Sequence, residues 1–206
     1  MPRHEPAVGM TWLVVGLGNP GPAYAGTRHN AGFAALDELA RRCDVTLRPA
    51  RGMPADIATV RLGESGLVGQ GAGEQVVLVR PTTFMNESGR AVRKLADFGH
   101  VPLDHLVVIH DELDLEVGRL RCKLGGGDNG HNGLKSIRSH VGSGEFYRVR
   151  LGIGRPEPGY AAVDYVLGRV PRSQREAMEA SVTTAADATE MLLRSGLEAT
   201  QNAFNC

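Results

Sequence analysis

The sequence predicts an α/β fold: a single domain built on a twisted, mixed β-sheet flanked by helices. Three observations lead there. Short apolar runs of strand length recur, Trp12 to Val15 and Leu106 to Ile109 above all. Between them lie stretches with apolar residues at helical spacing, such as Phe33, Leu36 and Leu39. Leu106-Val107-Val108-Ile109 is apolar on both faces, as in a central strand of a parallel or mixed sheet. At 206 residues the chain has the size of one domain with one core, expected over 11–206, with 1–10 as a flexible tail.

Composition narrows the class. Apolar content is 42%, ordinary for a soluble chain, and no run approaches the roughly 20 apolar residues of a membrane span. Met1 to Gly9 lacks the apolar core of a signal peptide. Cys43, Cys122 and Cys206 lie far apart with no CxxC, which fits a reducing cytoplasm and offers no disulfide or zinc framework. The 23 Lys and Arg balance 23 Asp and Glu, so any attraction to nucleic acid must be local.

Trp12 to Val15 opens the chain as a strand. It breaks into a loop, Gly16 to Pro22, that holds three glycines and two prolines and leads to Thr27-Arg28-His29-Asn30. Gly16-Leu17-Gly18-Asn19-Pro20-Gly21 fits the G-x-G-x-x-G fingerprint of dinucleotide folds. Pro20 and Pro22, however, remove amides that would face a pyrophosphate, and helical spacing begins only near Gly32, about ten residues late. An oxidoreductase is therefore the weaker reading. Histidine ordinarily titrates near neutrality, so His29 is a candidate general base, against the plainer reading of an idle surface side chain.

A helix is expected over Gly32 to Arg42, then strands over Ala55 to Leu62 and Gln75 to Val79. Between the strands, GESGLVGQGAG reads as a flexible hairpin connection. Asn86 then reads as the N-cap of a helix with Val92, Leu95 and Phe98 that Gly99 ends, while Phe84 and Met85 read as core. Leu106 to Ile109 ends in His110-Asp111-Glu112-Leu113-Asp114. A carboxylate just past such a strand suits a cleft, although three acids in four residues also suit a solvated turn.

Arg119 to Leu124 and Phe146 to Ile153 both alternate. Arg119, Arg121, Lys123, Arg148 and Arg150 would line one surface if the two basic faces coincide. Between them, Leu124 to Lys135 is rich in glycine and carries His131 and Asn132 into a helix with Leu134, Ile137 and Val141; Asn132 reads as its N-cap. A long helix follows, capped by Ser173 and stopped by Gly196, then a short one over Leu197 to Ala203. Nothing in this last third reads as chemical.

Polar clusters thus recur at strand and loop ends: Asn19 with His29, Asn86, Asp111, and His131 with Asn132. A histidine, a carboxylate and several amides suit water activation on an activated ester, with hydrogen bonds to the developing oxyanion. No nucleophile elbow is present.

The strings GLGNPGPAYAGTRHNAG, PTTFMNESG, HDELDL, GGGDNGHNGLKS and RVRLGIGRP, in that order, resemble bacterial peptidyl-tRNA hydrolases over about Leu13 to Phe204. The resemblance implies a cytoplasmic, monomeric α/β enzyme without metal or cofactor. Its partner would be peptidyl-tRNA, whose ester it hydrolyses. By position, His29 matches the general base and Asp111 the residue that orients it. Asn19 matches the site that separates N-blocked from free aminoacyl substrates. Tyr24, Phe84, Asn86 and Asn132 match contacts to the tRNA end and peptide, with Met85 and His131 as further possible members. Lys123 and Arg150 match cations for the 5′-phosphate. Asp128-Asn129 departs from the family pattern, where His and Gly are expected.

Three rivals remain at this stage. They are a dinucleotide-binding oxidoreductase, a metal hydrolase using His29, His110, Asp111 and His131, and a non-catalytic RNA-binding factor using the basic strands.

Overall fold

The structure is a computed structural model that describes residues 11–205; the expected tail over 1–10 lies outside the described residues. The strands are β1 (Trp12–Gly16), β2 (Arg48–Pro49), β3 (Ala55–Gly63), β4 (Gly66–Val68), β5 (Glu74–Pro81), β6 (Leu106–Glu112), β7 (Leu120–Leu124) and β8 (Tyr147–Gly152). The helices are α1 (Ala31–Arg42), α2 (Ser88–Gly99), α3 (Asn132–Val141), α4 (Ala162–Leu167) and α5 (Arg172–Phe204). One mixed sheet runs in the order β2-β3-β5-β1-β6-β8-β7, with β4 paired to β3. The centre, β5-β1-β6-β8, is parallel, and the outer pairs are antiparallel.

Helices cover both faces, which is why the central strands are apolar throughout. Val14 and Ile109 belong to the core under α1 and α5, with Leu36, Leu39 and Leu192. Leu13, Val15, Leu106 and Val108 belong to the core under α2 and α3, with Leu95 and Ile137. Every residue of β6 is buried, as its unbroken apolar run requires.

Gly16 and Gly18, two of the three fingerprint glycines, serve packing, whereas Gly21 faces open space at φ 100°. A Cβ on Gly32 would lie 2.3 Å from the Ile109 carbonyl oxygen, and one on Gly18 would lie 2.6 Å from the Phe33 ring. They let α1 lie directly against the sheet, so the fingerprint match at Gly16 and Gly18 has a steric cause.

Three local expectations are corrected. The supposed flexible connection contains β4, whose Leu67 amide donates to Glu190 Oε2 at 3.4 Å. Asn86 caps nothing: it sits in a 3₁₀ turn, Met85–Glu87, ahead of α2. α5 starts at Arg172 with Pro171, not Ser173, at its N-cap. The break expected at Gly196 is present, at φ 79°.

Candidate active site

Parallel pairing of β1 with β6 sends the loops that follow them to the same edge of the sheet. The amide of Leu17 donates to the Ile109 oxygen at 3.0 Å and joins the two exits. His29 sits in a 3₁₀ turn, Arg28–Asn30, just before α1. Asp111 is the sixth of seven residues in β6. His131 is the N-cap of α3, so it, not Asn132, fills the capping role.

These three side chains form one cluster. His29 Nδ1 lies 3.0 Å from both carboxylate oxygens of Asp111, and His131 Nε2 lies 3.0 Å from Oδ1. The tautomers follow from the partners. His131 Nδ1 accepts the Gly133 and Leu134 amides at 3.1 and 3.4 Å, so its proton sits on Nε2 and is donated to Asp111. His29 likewise donates from Nδ1, which leaves the Nε2 lone pair free. Burial alone would raise the Asp111 carboxyl. The facing His131 and His29 more than reverse that and hold it well below the usual carboxylate range, so it stays ionised.

His110 is set apart from this cluster. Its Nδ1 donates to the Asp111 carbonyl at 2.7 Å, and its ring meets that of His131 edge-on at 5.0 Å. Complete burial, followed by the neighbouring His131, pushes its imidazole well below the ordinary range, so it is neutral. The metal reading also uses His110, but among the described residues the ligand atoms that converge are those of His29, Asp111 and His131.

The ligand atoms of His29, Asp111 and His131 lie within 4.8 Å of one another, a spacing that a metal ion could use. Coordination through His131 Nε2 would move its proton to Nδ1, where two backbone N–H groups already point. The hydrogen bonds therefore suit an oriented histidine base better than a metal.

Asn19 is buried and locked. Asn30 takes both of its backbone groups, accepting from the amide at 2.9 Å and donating to the carbonyl at 3.0 Å. Asn19 Oδ1 accepts the Met85 amide at 2.8 Å. The oxygen being engaged, Asn19 offers its Nδ2 donors to the cleft.

The cleft has a volume of about 430 Å³ and brings together seven expected residues: Asn19, His29, Met85, Asn86, Asp111, His131 and Asn132. Met85 is buried, whereas Phe84, expected in the core, is 55% exposed. Phe84 meets Tyr24 edge-on, with ring centroids 6.2 Å apart. This pair does not line the cleft.

The last third of the chain contributes lining to the cleft: Ala162, Val163, Val166 and Leu167 of α4 form one wall. Their six-residue helix, AVDYVL, is too short for periodicity to reveal. Asn30 was missed too, because hydrogen bonding between two loop residues 11 apart leaves no mark in the sequence.

The basic surface is smaller than the alternation suggested. β7 and β8 do place Arg121 opposite Arg150 and Lys123 opposite Arg148. Arg148, however, is 1% exposed, and its guanidinium donates to the carbonyls of Gly126, Gly127 and Gly144. It ties down the glycine loop. Arg150 donates twice to Glu112 Oε2, at 3.1 and 2.9 Å. Lys123 is half-buried between these cations; burial first, then Arg150 and Arg148, push its ammonium below the usual range. Neither Lys123 nor Arg150 lines the cleft.

Asn129, part of the unusual Asp128-Asn129 pair, adopts a left-handed backbone at φ 50° and donates to Glu112 and Asp114 at 3.4 Å. The loop accommodates the change because Asn tolerates that conformation.

The family model described as peptidyl-tRNA hydrolase matches residues 13–206. The peptidyl-tRNA hydrolase of Cutibacterium acnes is 55% identical over 196 residues, covering 95% of this chain and 98% of that protein. That of Mycolicibacterium smegmatis is 48% identical over 190 residues, covering 92% and 95%. The crystal structure of the peptidyl-tRNA hydrolase from Acinetobacter baumannii superimposes with a TM-score of 0.82 at 34% identity, covering 96% of this chain and 95% of that one. The fold, the ordered motifs and these matches agree: the chain belongs to the peptidyl-tRNA hydrolase family.

Proposed function

We infer that this chain hydrolyses the ester that joins a peptide to tRNA in peptidyl-tRNA, releasing both and recycling tRNA from interrupted translation. The observation that carries the assignment of residues is the His29–Asp111 pair at 3.0 Å, with the free His29 nitrogen on the cleft. A water in the cleft attacks the ester carbonyl as its proton passes to His29 Nε2. The ionised Asp111 stabilises the imidazolium through Nδ1–H. The bond between the acyl carbon and the ribose oxygen then breaks, and His29 returns the proton to the leaving ribose oxygen. His131 holds the other side of Asp111 and keeps the carboxylate aimed at His29. The amides of Asn86 and Asn132, both exposed on the cleft, are available to the oxyanion or the water.

Asn19 supplies selectivity. Its outward Nδ2 donors fit the carbonyl oxygen of an N-blocked group, whereas a free ammonium carries only donors and finds no partner there. Exposed Phe84 and half-buried Tyr24 form an aromatic pair beyond the cleft, suited to stacking on a terminal base. Lys123 and Arg150 meet the 5′-phosphate, with Arg150 exchanging Glu112 for it. The enzyme acts as a monomer in the cytoplasm, a compartment in keeping with the free, buried thiols of Cys43 and Cys122. Among the described residues no helix is long and apolar enough to cross a membrane.

The deciding experiment is release of free tRNA from N-acetyl-aminoacyl-tRNA by the purified protein, with free aminoacyl-tRNA spared and chelator without effect. Binding without release would instead identify an RNA-binding factor, and loss of activity in chelator a metal enzyme. For the phosphate contacts, Lys123→Ala with Arg150→Ala should raise KM about tenfold at near-constant kcat and flatten its salt dependence. Removing the substrate's 5′-phosphate should then add little; a full additional loss would send the phosphate elsewhere.

A further inference from the structure

α4 forms a wall of the cleft, yet none of its residues is buried. Apolar burial therefore does not fix it in place as it fixes α1, since only Tyr165 and Val166 pack, half-buried, against the core. A polar clamp does, and the clamp comes from the residue beside His29. Arg28 is buried. Its Nη1 donates to the carbonyls of Tyr165 and Arg169, each at 3.3 Å, and its Nη2 donates to Gln174 Oε1 at 3.4 Å. Its guanidinium carbon lies 4.0 Å from the centroid of the Tyr165 ring, and the Tyr165 hydroxyl donates to the Ile153 carbonyl at 2.7 Å. The Arg28 amide adds a bond to the Gly168 oxygen at 3.2 Å.

No carboxylate among the described residues pairs with this guanidinium. Carbonyls at the C-terminal end of α4 and one aromatic face take its charge instead, and both attract cations. Every contact that Arg28 itself makes reaches α4, the segment that follows it or the start of α5, while the Tyr165 hydroxyl ties α4 to the end of β8. Arg28 therefore joins the turn that bears the base to the wall that faces it.

We propose that Arg28 is a positioning residue: with Tyr165, it sets the distance between the α4 wall and His29, and so the fit of the cleft around the substrate. The proposal rests on the hydrolase reading above and adds that substrate fit is set from the residue adjoining the base. The wall it places presents Val163, Val166 and Leu167, so it would meet an apolar part of the substrate, a peptide side chain or the face of the terminal base.

Two substitutions break the clamp differently. Arg28→Lys keeps the charge and loses the planar fork; Tyr165→Leu keeps apolar bulk and loses the ring face. Each should leave the circular dichroism spectrum native and raise KM for N-acetyl-aminoacyl-tRNA about tenfold, with kcat within about threefold. Amide exchange over 163–168 should quicken at least tenfold while that of 106–109 stays unchanged. The double variant should fall short of the sum of the two, since both lose the Arg28–Tyr165 stacking. Unchanged exchange in α4, a fall in kcat at constant KM, or additive effects would overturn the proposal. If Arg28→Lys does not fold, Tyr165→Leu decides alone. Exchange needs no substrate, so a wild-type protein that released no tRNA would refute the hydrolase reading and still leave the clamp to be judged.

Discussion

The turn that carries His29 and the helix that faces it across the cleft are anchored in opposite ways. The turn is bound to the core: Gly16, Gly18 and Gly32 let α1 and the sheet approach at distances that exclude a methyl group, and Asn30 grips both backbone groups of Asn19. α4 has no fully buried residue; only Tyr165 and Val166 pack, half-buried, against the core, and hydrogen bonds and one stacked guanidinium hold the rest. Proton transfer needs fixed distances of about 3 Å, which close packing provides. A wall that meets substrates of varied sequence needs only approximate placement, and an exposed element provides that with freedom to adjust. The difference separates the chemistry from the fit.

Breaking the rigid side should have the largest effect. Gly32→Ala in a helix would ordinarily stabilise by roughly 1 kcal/mol. Here the new Cβ would meet the Ile109 oxygen at 2.3 Å and the Leu17 nitrogen at 2.5 Å, backbone atoms that cannot swing away. A loss of about 3 kcal/mol is expected, read as a fall in Tm of roughly 6–12 °C. A Tm equal to or above wild type would show that the loop is not held by this contact.

Next comes the base itself. His29→Ala should cut kcat by about a hundredfold or more while tRNA binding persists. Near-wild-type turnover would remove His29 from the mechanism and undo the claim that the rigid side carries the chemistry.

The α4 side should respond in the opposite sense. Val163 and Leu167 are 59% and 37% exposed, so Val163→Ser and Leu167→Ser should change stability by less than about 0.5 kcal/mol. KM should rise by roughly threefold to fivefold from lost apolar contact. A marked drop in Tm would mean that α4 is packed as core, and the contrast would fail.

The smallest effect concerns pH. Folding holds His110 neutral, its imidazole depressed chiefly by burial, while the unfolded chain takes up a proton below about pH 6.5. Its contribution is therefore fully present above that pH and is lost as pH falls, at up to about 1.4 kcal/mol per pH unit. Asp111, depressed in the fold, acts in a lower window: its contribution is present above about pH 4 and lost below. Comparing denaturation at pH 7 and pH 5.5, His110→Gln should lose less stability than wild type, whatever its stability at pH 7. Parallel losses would show that His110 is not held neutral.

Much of this molecule is written locally. Leu106 to Ile109 declares a buried central strand by being apolar at every position, because a strand covered on both faces has no solvent side to mark. His29 and Asp111 stand out because few side chains can move a proton or steady one, and His29 lies in the loop after β1 and Asp111 near the end of β6, where α/β sheets open their clefts. What the chain alone leaves open depends on neighbours distant in sequence. Arg148 looks like a surface cation by alternation, but the glycine loop folds over it and supplies carbonyls, so it is buried. His131 becomes the second hand on Asp111 only because α3 begins beside β6. Arg28 and α4 meet across 137 residues, and neither shows by itself that it has a partner. Periodicity and residue chemistry fix which face of a strand or helix turns inward, since those depend on a few bonds of backbone geometry. Which polar groups meet inside is decided by packing of the whole chain, because a buried hydrogen bond needs both its ends brought to about 3 Å by elements that share no local sequence.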